Sequence, residues 1–261
     1  MRDRGFLERI GAVDGGYVTP PRYDWASWSP GDGVFNAAAM AKYSVQLADR
    51  LTGFIERGDF VVLLGGECSN LLGPALALKR LGRYGVVYID GHSDFRTVDN
   101  SPYVGAAGGE ALALVTGRGQ PDLTDLEGRG PYTLDSDAVL LGIRADDDYL
   151  GDVEKAGIPV WPAAKIAEDP AGAADGTLEH LDHLDGFWVH LDVDILDAAI
   201  MPAVDSPDPG GIDHDQLRAL LRPLLAAPKC AGINIGIFDP DLDPDGRYAT
   251  ELTDTLVAAL N

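Results

Sequence analysis

Cysteine and positive charge are both scarce in this chain, and long apolar runs are absent. Only two cysteines occur, Cys68 and Cys230, too few for a disulfide framework, so a reducing compartment is expected. Against 20 Lys and Arg stand 42 Asp and Glu, and the resulting net charge of −22 would repel nucleic acid and anionic membranes alike. That balance fits a generally acidic proteome ahead of a cationic substrate. No stretch approaches the roughly 20 apolar residues that cross a bilayer. The opening Met1 to Phe6 is charged, unlike a signal peptide. A soluble cytoplasmic protein is expected, with neither nucleic acid nor membrane as partner. Internal repeats and low-complexity tracts are lacking too.

What is present is enough for a large core. With 261 residues and 46% hydrophobic content, the chain can form one α/β domain over 1–261. Short β-branched runs bounded by Gly or Pro predict strands at Phe60–Leu64, Gly85–Ile89, Asp135–Gly142, Gly157–Trp161, Gly186–Asp192 and Cys230–Ile237. Helical patterns cover Val34–Arg57, Leu71–Leu81, Asp213–Leu225 and Thr250–Leu260. Strand and helix alternating in this way argue a parallel sheet with helices on both faces. The loops Pro20–Gly33 and Met201–Gly211, rich in Pro, Gly and Asp, are expected to border a site.

Three acid-bearing clusters follow three of these strands. They are Gly65-Gly-Glu-Cys-Ser-Asn70, Asp90-Gly-His-Ser-Asp94 and Asp192-Val-Asp-Ile-Leu-Asp197. Ligands in open α/β sheets bind outside the carboxyl ends of the strands, so the clusters should converge. In Asp90-Gly-His92-Ser-Asp94, alternate residues point one way, placing two carboxylates and an imidazole toward one cavity. Such a mixture of oxygen and nitrogen suits Mn, Fe, Co or Zn better than Ca. Taken alone, one such motif is better explained as a solvated acidic turn with a surface histidine. Asp192 and Asp194 change the balance, because several buried carboxylates need a cation or strong hydrogen bonds. Cys68 reads as either a small buried hydrophobe or a thiolate ligand, and the thiolate would pull preference toward Zn or Fe. His190 shares the parity of Trp188, Asp192 and Asp194 and is expected to pack and hydrogen-bond. His180, His183 and His214 receive no role.

These motifs, in order, resemble the arginase–agmatinase–formimidoylglutamase family, the ureohydrolases. Where that family carries GGDH, DxHxD and a DxDxxDP segment running into GTGTPxxGG, this chain has GGEC, DGHSD and DVDILDAAIMPAVDSPDPGG. LLGIRADDD stands in place of the family's G-[IL]-R-x-x-D segment, and the likeness runs from about Phe60 to Asp243. The resemblance implies a three-layer αβα sandwich with a mainly parallel sheet, here without the family's first strand. It implies two divalent metal ions, usually manganese, with zinc or iron open because of Cys68. Cys68, Asp90, Asp94 and Asp192 would hold one ion; Asp90, His92, Asp192 and Asp194 would hold the other. A hydroxide between them would attack the trigonal carbon of a small guanidine, hydroxyguanidine or amidine, with Asp94 aiming it. Glu110 and Asp147 are candidates to anchor the substrate, and the homo-oligomers of many relatives are left open for this chain.

The chain also departs from the family. Cys68 replaces the GGDH histidine, and no histidine occurs between His92 and His180 to serve as the family's acid–base group. The family's E-[VL]-N-P segment, whose glutamate holds the guanidinium, reads Ile237-Phe-Asp-Pro240. Cysteine at the ligand position with the later histidine lost is similar to the Nω-hydroxyarginine hydrolases of D-cycloserine biosynthesis. Metal-dependent hydrolysis of a non-peptide carbon–nitrogen bond is the expected activity. The alternatives are a metal-binding relative without turnover, such as a partner subunit, and a metal-free pseudoenzyme.

Overall fold

The computed structural model describes residues 1–24, 26 and 28–261. Trp25 and Ser27, inside the loop expected over Pro20–Gly33, lie outside the described residues. Six strands form one sheet: β1 (Val61–Leu64), β2 (Tyr84–Ile89), β3 (Ala138–Leu141), β4 (Val160–Trp161), β5 (Gly186–Asp192) and β6 (Cys230–Gly236). The order across the sheet is β1-β6-β5-β2-β3-β4, and all five pairings are parallel. Among the described residues no strand precedes Val61.

Two-residue alternation along each strand divides the core between the two faces of the sheet. Val87, Ile89, Val189, Leu191, Ile233 and Ile235 pack with helices Pro170–Leu181, His214–Ala226 and Arg247–Leu260. Val86, Tyr88, Leu140 and Trp188 face the other way, onto helices Ala37–Ile55, Leu72–Leu81 and Ala111–Val115. The result is the αβα sandwich expected. All seven residues of β5 are buried, which is why that run reads as continuously apolar up to its acidic end.

β2 and β5 are neighbours, yet the chain leaves them toward opposite faces. After β2 it reaches helix Ala111–Val115, and after β5 helix His214–Ala226. That divergence opens the crevice in which α/β proteins bind ligands. No helix of the described residues is long and apolar enough to cross a membrane.

The outcome differs from expectation in places. Asp135–Asp137 is a 3-10 turn and not strand, because Arg83 holds the buried Asp137 carboxylate at 2.7 and 2.8 Å before β3 begins. The last helix starts at Arg247, just after Gly246 in the left-handed region, and not at Thr250. Helices Ala163–Glu168 and Pro170–Leu181 were not expected, since Gly172 and Gly176 interrupt the pattern. Gly176 has a packing reason: a Cβ there would lie 2.9 Å from the Trp161 ring.

Candidate metal centre

Each acid cluster starts where a strand stops. Beyond β1, Gly65 and Gly66 both take positive φ, 96° and 79°, in the turn that carries Cys68 to the ends of β5 and β2. Beyond β2, Asp94 is held at φ 43°, an uncommon value for a residue with a side chain. Beyond β5, Asp192 accepts the Asp194 amide at 2.7 Å, closing the turn that carries Asp194.

These turns bring the six expected ligands together. Cys68 Sγ lies 3.0 Å from Asp192 Oδ2 and 4.0 Å from Asp90 Oδ2. Asp90 accepts the His92 amide at 2.6 Å. His92 Nδ1 lies 2.7 Å from Asp194 Oδ2, and Asp194 Oδ1 accepts the Gly91 amide at 3.0 Å. The Tyr88 hydroxyl donates to Asp94. Two donor clusters result, Cys68–Asp90–His190 and Asp90–His92–Asp194, each with its ligand atoms within 4.8 Å of one another and with Asp90 common to both.

Cys68, Asp90, Asp192 and Asp194 are almost without solvent, at 2, 0, 3 and 3% exposure. Burial, then the neighbouring carboxylates, pushes Asp90 and Asp192 well above the carboxylate range. Burial and the same acids raise the Cys68 thiol well above its ordinary value. Asp94 is pushed up to about 7, chiefly by burial, against the Tyr88 hydrogen bond. His92 goes the other way: its bond to Asp194 outweighs burial and lifts it to about 10. Asp194 is lowered despite burial because of that same pair. Four acids and a thiol so close together repel as anions, and divalent cations relieve that repulsion. The oxygen, nitrogen and sulfur donors therefore fit transition-metal ions.

Above the donors lies a cavity of about 440 Å³, the size of a small-molecule site. Cys68, His92, Asp94, Asp192 and Asp194 line it, together with Glu67, Arg96, Asp147, Asp205 and Asp208. Asp147 is on the wall, with its two oxygens accepting the Ser93 and Tyr149 amides at 3.0 and 2.8 Å. Glu110 is not among the lining residues. It is neither on the wall nor on the surface, being 2% exposed in the turn Ala107–Glu110 with Oε1 unpartnered. Gly108 and Gly109 of that turn line the cavity instead. Ile237 also lines it, at φ 72°, a strained value for a β-branched residue, with its amide donating to Gly66 at 3.0 Å.

Some contributors lie inside the quoted motifs but had been given no role at the site. Asp208 lies 3.1 Å from His92 Nε2 and comes from the Met201–Gly211 loop, whose composition was the available signal. Arg144 is buried and donates to the carbonyls of Asp194 and Leu196 at 2.8 and 3.3 Å, bracing the acidic turn. His190 is fully buried and stacks on Tyr88 with ring centroids 4.4 Å apart. Burial lowers its imidazole to about 4.

The sequence matches the Arginase family over residues 4–260. Arginase from Bacillus subtilis (strain 168) is 30% identical over 220 residues, spanning 81% of this chain and 73% of that protein. Formimidoylglutamase from Halobacterium salinarum is 29% identical over 229 residues, spanning 83% of this chain and 67% of that protein. The solved arginase from Bacillus cereus aligns with a TM-score of 0.88 at 26% identity, covering 100% of this chain and 90% of that one. A match that runs through all three acid clusters and nearly every residue makes this chain a member of the Arginase family, hydrolases of carbon–nitrogen bonds outside peptides.

Proposed function

We propose that residues 1–261 act as one arginase-like domain that hydrolyses a small guanidine, hydroxyguanidine or amidine with two divalent metal ions. The observation that carries this reading is Asp90, shared by two donor clusters beneath one acid-lined cavity. Cys68, Asp90, Asp94 and Asp192 are assigned to one ion, and Asp90, His92, Asp192 and Asp194 to the other. Manganese is the ion expected from the family, and the thiolate of Cys68 shifts its own half toward zinc or ferrous iron. Such a pair of cations, when bound, acidifies water to a nucleophile at neutral pH and stabilises charge developing at the attacked carbon.

The remaining roles belong to the chain. Asp94, steadied by the Tyr88 hydroxyl, accepts a hydrogen bond from the attacking water and aims it. Asp147, held by two backbone amides on the wall, offers a fixed negative site to a cationic substrate. Glu110 lies off the wall, so the substrate contact is assigned to Asp147 alone. The surplus of acids around the cavity favours a cation over an anion.

Metal content per chain and turnover of a guanidine, hydroxyguanidine and amidine panel test this together. Two equivalents of metal, with turnover abolished in Asp192→Ala, are expected. No bound metal after manganese and zinc are offered would sink the reading. One observation favours a second reading, a metal-binding relative without turnover: apolar Ile237 stands on the wall where the family's glutamate would pair with a guanidinium. Any turnover that depends on Asp192 disposes of it.

A further inference from the structure

Behind Cys68 runs a hydrogen-bonded relay that the motifs do not account for. An indole N–H can only donate, and Trp188 Nε1 donates to Asn234 Oδ1 at 2.8 Å. That fixes which way the Asn234 amide faces, so its nitrogen is the atom 2.7 Å from His190 Nδ1. An amide nitrogen has only protons to offer. Nδ1 must therefore present its lone pair, and the neutral ring carries its proton on Nε2.

The relay is rigid and dry. Trp188, His190 and Asn234 are 0, 0 and 1% exposed, so no bulk water can substitute for a partner. His190 and Asn234 sit opposite each other in the β5–β6 register, and Tyr88 opposite His190 in β2–β5 stacks on the ring. Yet Nε2 is buried without any hydrogen-bond partner. A ring nitrogen of His190 lies within 4.8 Å of Cys68 Sγ and an Asp90 oxygen. With Nδ1 taken by Asn234, Nε2–H is the donor that the ring has left to offer them.

Cys68 has the complementary need. As a thiol it donates to Asp192. As a thiolate it needs a donor, whereas Asp90 and Asp192 beside it only accept, and the Tyr88 hydroxyl is committed to Asp94. We propose that His190 is a positioning residue: Trp188 and Asn234 hold it as the Nε2–H tautomer, and it donates to the Cys68 thiolate instead of ligating metal itself. Outer-shell donors of this kind orient metal ligands and tune them. The proposal rests on Cys68 being a ligand, and it adds which side chain orients that ligand.

Long-range proton–nitrogen NMR correlation on histidine-labelled protein reads the tautomer directly, without metal. The wild type is expected to show His190 protonated on Nε2. Asn234→Asp, which can accept from Nδ1–H, is expected to reverse it. A wild-type ring protonated on Nδ1 overturns the proposal. Cobalt-loaded protein gives the second readout, through the thiolate-to-cobalt charge-transfer band. Loss of the donor in His190→Phe should move that band to lower energy, and His190→Gln, which keeps an N–H, should restore part of the shift. A band identical in wild type and His190→Phe, with the tautomer as expected, overturns the donor role alone. A wild-type protein that binds cobalt without any such band overturns the assignment of Cys68 as a ligand and the donor role with it.

Discussion

The two halves of the candidate centre share Asp90 and Asp192 and differ in nearly everything else. Around Cys68 the groups are dry, and burial drives them toward neutrality: the thiol and Asp90 upward, His190 downward. Around His92 the site is open, with that side chain 30% exposed, and the imidazole and Asp194 hold each other in their charged forms. One half waits as acids still holding their protons; the other carries its own cation. Similar acids behave in opposite ways because solvent and the nearest partner, not residue type, set ionisation. In the first half a metal ion must replace protons on sulfur and oxygen, in the second the proton of an imidazolium.

Asp90→Asn should erase the comparison, since both halves lose a ligand they have in common. Turnover is expected to fall by at least about 10²–10³-fold, with neither ion retained on elemental analysis. The metal-free variant should melt higher than the metal-free wild type, because a buried carboxyl that must take up a proton on folding at neutral pH is gone. Retention of both ions would show that the halves are independent.

Single-half variants sharpen the contrast. Cys68→Ala is expected to leave one equivalent of metal, and Cys68→His two, with preference moved from zinc toward manganese. Competition between the two ions, followed by elemental analysis, gives the ratio. Equal affinities in wild type and both variants would remove Cys68 from the ligand set.

Proton linkage gives a smaller but directional effect. Asp94 rises from 3.8 to about 7 on folding and His92 from 6.5 to about 10, so the folded metal-free chain binds more protons than the unfolded one in both windows. Stability from Asp94 is therefore lost as pH rises from about 4 through 7, and that from His92 between about 6.5 and 10. The metal-free melting temperature should fall between pH 5 and 8, while metal affinity rises over the same range, because binding releases protons. A melting temperature that climbs with pH in the metal-free protein contradicts this account of Asp94 and His92.

The wall opposite is tested by Ile237→Glu, which offers a carboxylate where the chain has an apolar, strained residue. A gain in guanidine turnover, measured as urea release, is expected to be modest, about tenfold, because the family's histidine is still absent. No gain would leave that histidine as the larger barrier.

The acid clusters were legible because their chemistry is costly anywhere but at a strand end facing a cation. Cys68, Asp90, His92, Asp94, Asp192 and Asp194 each sit within a few residues of an apolar run, and the two-residue period told which way they point. The placement of Glu110 was not legible, for the opposite reason. It lies in a glycine-rich turn with no period, and whether it faces the cavity depends on how Gly108 and Gly109 pass the wall. Asp208 and Arg144 reach the site only because distant loops fold over it, Asp208 from 116 positions beyond His92.

The sequence by itself determined the parallel sheet and the acids at its carboxyl ends, because strand periodicity and the cost of burying charge are local properties. Which acids keep their protons, which histidine faces a thiol and which a carboxylate, and which side chains reach the cavity were decided only in the tertiary structure. Those outcomes depend on distances of a few ångströms between residues far apart in the chain, and on how much water remains between them.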